Sequence, residues 1–204
     1  MSKPMVTFNS KRANYTIYEA GEEPTSFEPG DFFLLRNNTF ASKIVLFGEW
    51  IRYHGENRKY SRWSHAGAFI DNKGSIIEST FSGVKIDNIS KYKDLPYYVV
   101  HTKLSAANKV QGVSAAKSFL RDEYGWLADI SIGLNYLTGL KIQITSKNTI
   151  NCSGLVAMML WAAGIIFDGT PQMFAPADLA AAFDVPSPIK PVKTKKVKIK
   201  KEDK

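Results

Sequence analysis

The chain is predicted to fold as an α+β domain in which a small antiparallel sheet packs against a central, cysteine-bearing helix. Three observations carry that expectation. Residues 66–70 and 75–80 are β-rich and flank Asp71-Asn72-Lys73-Gly74, a hairpin turn. Residues 153–163 are apolar on every face, as a helix packed on all sides must be. Strand-like and helix-like stretches follow one another as a few helices and a meandering sheet, without the regular alternation of a parallel α/β fold.

In chain order, residues 1–28 are polar and poorly periodic and read as an arm over the surface. Glu28-Pro29-Gly30-Asp31 is a turn, and Phe32-Phe33-Leu34-Leu35 after it is a short buried strand by composition. Residues 42–53 carry Ile44, Val45, Phe47, Trp50 and Ile51 at the spacing of an amphipathic helix, with Gly48 against it. Residues 54–62 are polar and basic, a loop leading into the hairpin, and a loop beside an active site can select or cover substrate. Pro96 marks the start of a further strand at 97–101. Helices are expected at 110–124 and 126–137, then the central helix with Gly164 as its C-terminal cap. A short final helix at 176–183 has proline in its first turn. The expected organisation is an arm (1–28), one domain (29–185) and a lysine-rich disordered tail (186–204).

Composition narrows the function classes. Of 204 residues, 44% are hydrophobic and 12% aromatic, which is the balance of a soluble globular domain with a substantial core. The net charge of +8 is unevenly placed. Lys190 to Lys204 holds eight lysines against Glu202 and Asp203, a balance of +6 that leaves +2 for the first 189 residues. Such a run is a solvated arm, open to an anionic surface or nucleic acid, though without the aromatic residues that stack on bases. The longest apolar run, 155–167, is thirteen residues, short of the roughly 20 that span a bilayer. Residues 1–11 contain no apolar stretch of the secretory kind, so the chain is expected to be made in the cytoplasm. One cysteine excludes an intramolecular disulfide framework and a cysteine-rich zinc site, and no cofactor or metal is expected.

That cysteine, Cys152, opens the apolar helix behind three capping candidates, Thr149, Asn151 and Ser153. Unpaired amides and the helix dipole there favour a thiolate and can bring a cysteine to a pKa of roughly 3.5–7.5. The same amides, Ser153 included, can hold the oxyanion of a tetrahedral intermediate. The competing reading is an inert buried thiol. His65 begins the hairpin, with small residues beside it that leave room for a helix to approach. His101, among apolar residues, reads as structural, and His54 as a loop residue. With Asn72-Lys73 as the turn, Ile70 opposes Ser75 and His65 opposes Thr80, so Glu78 is a diagonal neighbour on the face of His65. A carboxylate there can fix the tautomer of the imidazole and stabilise its charged form. Otherwise Glu78 is a rim residue facing water.

Taken in order, Gly30-Asp31-Phe32-Phe33-Leu34-Leu35-Arg36, Ser64-His65-Ala66-Gly67, Ile77-Glu78-Ser79-Thr80 with Gly83-Val84, and Cys152-Ser153-Gly154-Leu155-Val156 resemble the permuted NlpC-type papain-like superfamily. Its YiiX/YaeF-like amidases and lecithin retinol acyltransferase-like members share that layout, and Pro176-Ala177-Asp178-Leu179 resembles the helix start found after their cysteine helix. The likeness runs from about Gly30 to Leu179. It implies a circularly permuted papain-like fold and a cysteine hydrolase with Cys152 as nucleophile, His65 as base and Glu78 as the residue that orients it. Tyr124 matches a tyrosine that relatives place between the central helix and the cysteine, as an oxyanion or substrate contact. Asn151 departs from the aspartate common before the cysteine in unpermuted relatives, but both residues cap helices. The expected substrate is an amide in a cell-wall peptide, which would suit a phage-encoded or virion-associated protein. Two alternatives are a lipid-acting thiol acyltransferase or esterase with an apolar groove at Trp126, Leu127 and Trp161, and a non-catalytic binding or virion component attached through the tail.

Overall fold

Phe32–Leu35 has no polar face to turn to water, so the strand it forms, β2, is covered on both sides and all four side chains are buried. The computed structural model describes residues 14–37, 40–120, 123–124, 149–167 and 169–188. Strand β2 lies inside a six-stranded antiparallel sheet with β1 (Tyr15–Tyr18), β3 (His65–Phe69), β4 (Ser75–Thr80), β5 (Gly83–Asn88) and β6 (Tyr97–Val100), in the order β1-β6-β2-β3-β4-β5. A short parallel pair, β7 (Glu123–Tyr124) with β8 (Thr149–Ile150), leads up to Cys152.

Alternation along the strands sorts the core into two layers. Phe32, Leu34, Ala66, Ala68 and Ile77 join the helix α3 (Cys152–Ala162) in the larger cluster. Phe33, Leu35, Phe69, Ile76 and Val99 form the smaller one on the opposite face. Helix α3 is apolar all round because it is packed between β3 and β4, the helix α2 (Ala106–Ser118) and the helix α4 (Pro176–Ala182). It ends in a Schellman motif: Gly164 takes φ +93°, its amide donates to the Trp161 carbonyl at 3.0 Å, and the Ile165 amide donates to Leu160 at 2.9 Å. Pro176 opens α4 at the first helical position.

Several expectations need correction. Residues 15–18 are not part of a surface arm. They pair with β6 as the edge strand, with Tyr18 buried and stacked on Tyr97 at 5.4 Å. The helix α1 (Phe40–Arg52) is present, but Phe47 and Trp50 are 55% and 58% exposed, and the buried positions include Ser42, Gly48 and Glu49. A charged residue was therefore on the inner face, satisfied by backbone donors that periodicity cannot register. Residues 55–60 of the expected loop form a 3₁₀ turn. Helix α2 starts at Ala106 and not at residue 110, because the Ser105 hydroxyl accepts from the Asn108 amide at 3.2 Å and caps it. It ends by Ser118, and Glu123 and Tyr124 are a strand. The helix expected at 126–137 and the tail from Lys190 to Lys204 lie outside the described residues. Among the described residues, no helix is long and apolar enough to cross a membrane.

Candidate active site

The hairpin has the register expected from its turn. Ala68 pairs with Ile77 and Phe69 with Ile76, and the Ile70 amide donates to the Ser75 carbonyl at 2.9 Å. Asp71 Oδ1 accepts from the amides of Lys73 and Ser75 and closes the turn. In this register Glu78 falls opposite Gly67 and diagonal to His65. The reach between them depends on that glycine. A Cβ on Gly67 would lie 2.6 Å from Cε1 of Phe33 and 3.2 Å from the Cβ of Glu78, so any side chain there would displace both.

His65 Nε2 and Glu78 Oε2 are 2.8 Å apart, with the Glu78 side chain fully buried. The same Oε2 accepts the Tyr92 hydroxyl at 2.7 Å, and Oε1 is bonded by the Lys91 ammonium. Lys91 and Tyr92 belong to the 3₁₀ turn Ile89–Tyr92 that follows β5. The tyrosine ring sits 5.8 Å from the imidazole, centre to centre.

Cys152 arrives from the other side. Asn151 caps α3, its Oδ1 accepting from the Gly154 amide at 2.5 Å and its Nδ2 donating to the Phe174 carbonyl at 3.3 Å. That makes Cys152 the first helical residue, so its amide and that of Ser153 have no partner within the helix. The β3–β4 ladder stops at Ala68 and Ile77. Beyond that point the Ser79 hydroxyl donates to the Ile150 carbonyl at 2.6 Å and ties β4 to the residues just before Cys152. The thiol comes within interaction range of the His65 imidazole, and both line one cavity. Because Nε2 is engaged by Glu78, Nδ1 is the nitrogen left for sulfur.

Burial disfavours a charged His65, but the hydrogen bond and charge of Cys152, followed by those of Glu78, outweigh it and push the imidazole up to about 9. Burial likewise opposes ionisation of Glu78, while His65 first, then Lys91 and Tyr92, bring it down to about 2. Burial and the Glu78 charge move Tyr92 far above the ordinary phenol range, so it remains a donor. The arrangement places one imidazole between a sulfur and a carboxylate that favours its charged form. Chemically, it can take a proton from a thiol, return it to a leaving group, and present two helix amides to developing negative charge.

A cavity of about 170 Å³ opens onto Cys152 and His65, lined also by Ser42, Val45, Thr80, Phe81 and Tyr92. Compared with known protein families and with curated proteins, the chain matches none.

Of the expected site residues, Cys152, His65 and Glu78 are brought together. The Ser153 hydroxyl is turned away, donating to the Phe174 carbonyl at 2.5 Å, so only the Ser153 amide is left for an oxyanion. The backbone of Tyr124 pairs with Ile150 in the short parallel sheet, and its side chain lies outside the described residues, as do Trp126 and Leu127. Trp161 is 56% exposed and nine residues, about 13 Å, along α3 from Cys152, away from the cavity. His101 lies away from this site, its Nδ1 3.1 Å from Asp31 Oδ2 and its Nε2 2.9 Å from the Thr16 hydroxyl. Sequence reasoning did not identify Lys91 and Tyr92. The available signal was Glu78 itself, since a carboxylate in an apolar strand requires donors, but nothing in the sequence says which residues supply them.

Proposed function

We propose that this protein is a thiol hydrolase of permuted papain-like fold, in which Cys152 attacks an amide carbonyl, His65 is the general base and Glu78 holds His65. The observation that carries the reading is the single imidazole bonded on one nitrogen to a buried carboxylate and partnered by the only cysteine of the chain. His65 Nδ1 takes the thiol proton and the thiolate forms a C–S bond to the carbonyl carbon. The oxyanion is held by the amides of Cys152 and Ser153. Collapse breaks the C–N bond as the imidazolium protonates the leaving amine. Water, deprotonated by His65, then cleaves the thioester to release the acid and the thiol.

An amide in a cell-wall peptide is the substrate class to which the sequence resemblance leads. The size of the cavity agrees with that class: about 170 Å³ is below the roughly 300–1,000 Å³ of pockets that engulf a whole ligand. It admits the atoms around a scissile bond, with the rest of a chain lying outside. A second reading, thiol acyl transfer to or from a lipid, is favoured by the exposed Phe81 at the cavity and the exposed Phe47–Trp50 pair on α1, which also supplies Val45.

The test is the rate of iodoacetamide alkylation against pH for the wild type and His65→Ala. Cys152 is the only thiol, so the signal has one source. Fast alkylation persisting well below the free-thiol pKa of about 8.5, and lost in the variant, is expected. An ordinary thiol titration in both proteins overturns the reading and favours a binding component. Acyl-chain analysis of the products from peptide and lipid amides then separates the two substrate classes.

A further inference from the structure

Glu78 carries more charge contacts than a residue that only orients a histidine needs. Its Oε2 serves His65 at 2.8 Å and Tyr92 at 2.7 Å, and its Oε1 serves Lys91. Lys91 is itself anchored from behind, with Nζ 2.9 Å from Asp87 Oδ2 and 4.9 Å from the centre of the Tyr92 ring. A lysine ammonium and the imidazole therefore share one buried carboxylate, one on each oxygen. We propose that Lys91 is a positioning residue that shares Glu78 with His65 and so limits how tightly the imidazolium is held.

The inference rests on the reading of His65 as the general base, and it gives Lys91 a reason to be there. An imidazolium gripped by an undivided buried carboxylate would accept the thiol proton readily but surrender it poorly to a leaving amine, because efficient proton transfer needs a pKa near the working pH. A second positive charge on the same carboxylate repels the imidazolium and divides the attraction of the carboxylate. Proton uptake and proton delivery are then both accessible to one residue. Among the described residues, the titratable and charged groups facing the pair are Cys152 from α3, Lys85 and Asp87 from β5, and Lys91 and Tyr92 from the turn. Lys85 stands opposite Glu78 in the ladder, but its Nζ is 3.5 Å from Asp87 and its side chain is 42% exposed. Lys91 is the cation that reaches Glu78.

The measurement is an NMR pH titration of the His65 ring in the wild type, Lys91→Met, Lys91→Gln and Lys91→Arg, with His65→Gln used to assign the signal among the three histidines. Both neutral variants are expected to raise the midpoint of His65 by about one pH unit, and arginine, which keeps the charge, is expected to leave it in place. The side chain of Lys91 is 29% exposed at its turn, and either neutral variant alone suffices as the test. Coincident titrations of the wild type and a folded neutral variant overturn the proposal. So does an arginine variant shifted as far as the methionine variant, which would indicate that Lys91 only packs. The readout does not depend on turnover. Ordinary Cys152 alkylation together with an intact Lys91 effect would remove the hydrolase reading and leave the shared carboxylate standing.

Discussion

His65 is held from two sides, and the two contacts have different origins in the sequence. Glu78 reaches it through hairpin register, which the turn residues Asp71 to Gly74 dictate locally. Cys152 reaches it across 87 positions of chain, through the packing of α3 on β3 and β4. Glu78→Gln keeps the size of the side chain but removes the charge that stabilises the imidazolium. Its amide can also present a donor where His65 Nε2 needs an acceptor, which favours the wrong tautomer. Turnover of an amide substrate is expected to fall by about 10²-fold or more, with the far-ultraviolet dichroism spectrum unchanged. An unaltered rate would remove Glu78 from the mechanism. No comparable local signal pointed to Lys91 and Tyr92, which sit in a polar stretch that reads as surface.

Among the secondary-structure elements, the clearest lesson is Glu49. It lies on the buried face of α1 and is 1% exposed. Its Oε2 accepts from the amides of Arg62 at 2.7 Å and Trp63 at 3.1 Å, and its Oε1 accepts from Ala177 at 2.9 Å. One side chain thus fixes α1, the approach to β3 just before His65, and the first turn of α4. Burial pushes its carboxyl well above the ordinary range, against the three N–H donors that hold it down. Next to it Asp178 accepts from the Tyr53 hydroxyl at 2.6 Å, from Arg52 at 2.8 Å and from the Ala175 amide at 2.8 Å, and so closes the same junction. Glu49→Ala leaves three amides without their acceptor, two of them, of Trp63 and Ala177, buried. At about 1–3 kcal/mol for each buried unsatisfied group, the loss is expected to be about 2 kcal/mol or more, measurable as a lower urea midpoint at unchanged slope. A change under 1 kcal/mol would mean that water replaces the carboxylate. Hydrophobic periodicity identified α1 but assigned its inner face to aromatics that are exposed. The inner face is decided by donors from residues 62, 63 and 177, which are distant in sequence.

Over the whole molecule, the contacts of His65 with Cys152 and Glu78 make stability depend on pH in a defined window. Glu78 is lowered from 4.5 to about 2, so its contribution is complete above pH 4.5 and is lost as pH falls towards 2. His65 is raised from 6.5 to about 9, so its contribution is complete below pH 6.5 and is lost as pH rises through 9. The difference in melting temperature between wild type and His65→Gln is therefore expected to be widest between pH 4.5 and 6.5 and to shrink towards pH 9. A difference that is flat across this range would show that the pair is not ionised in the folded protein.

The sequence by itself determined the α+β class, the buried strand Phe32–Leu35, the hairpin and its register, and the position of Cys152 at the start of an apolar helix. These features follow from interactions within about ten residues: alternation, turn chemistry, and capping by Asn151. Tertiary structure decided the rest. It recruited residues 15–18 as an edge strand, because an unpaired margin of β6 offers backbone partners that no local pattern reveals. It turned Glu49 inward and drew Lys91 and Tyr92 onto Glu78. Glu49 and Glu78 are carboxylates whose burial is tolerable only once donors or a counter-charge from elsewhere in the chain are in place, and such partners exist only when the chain has closed on itself.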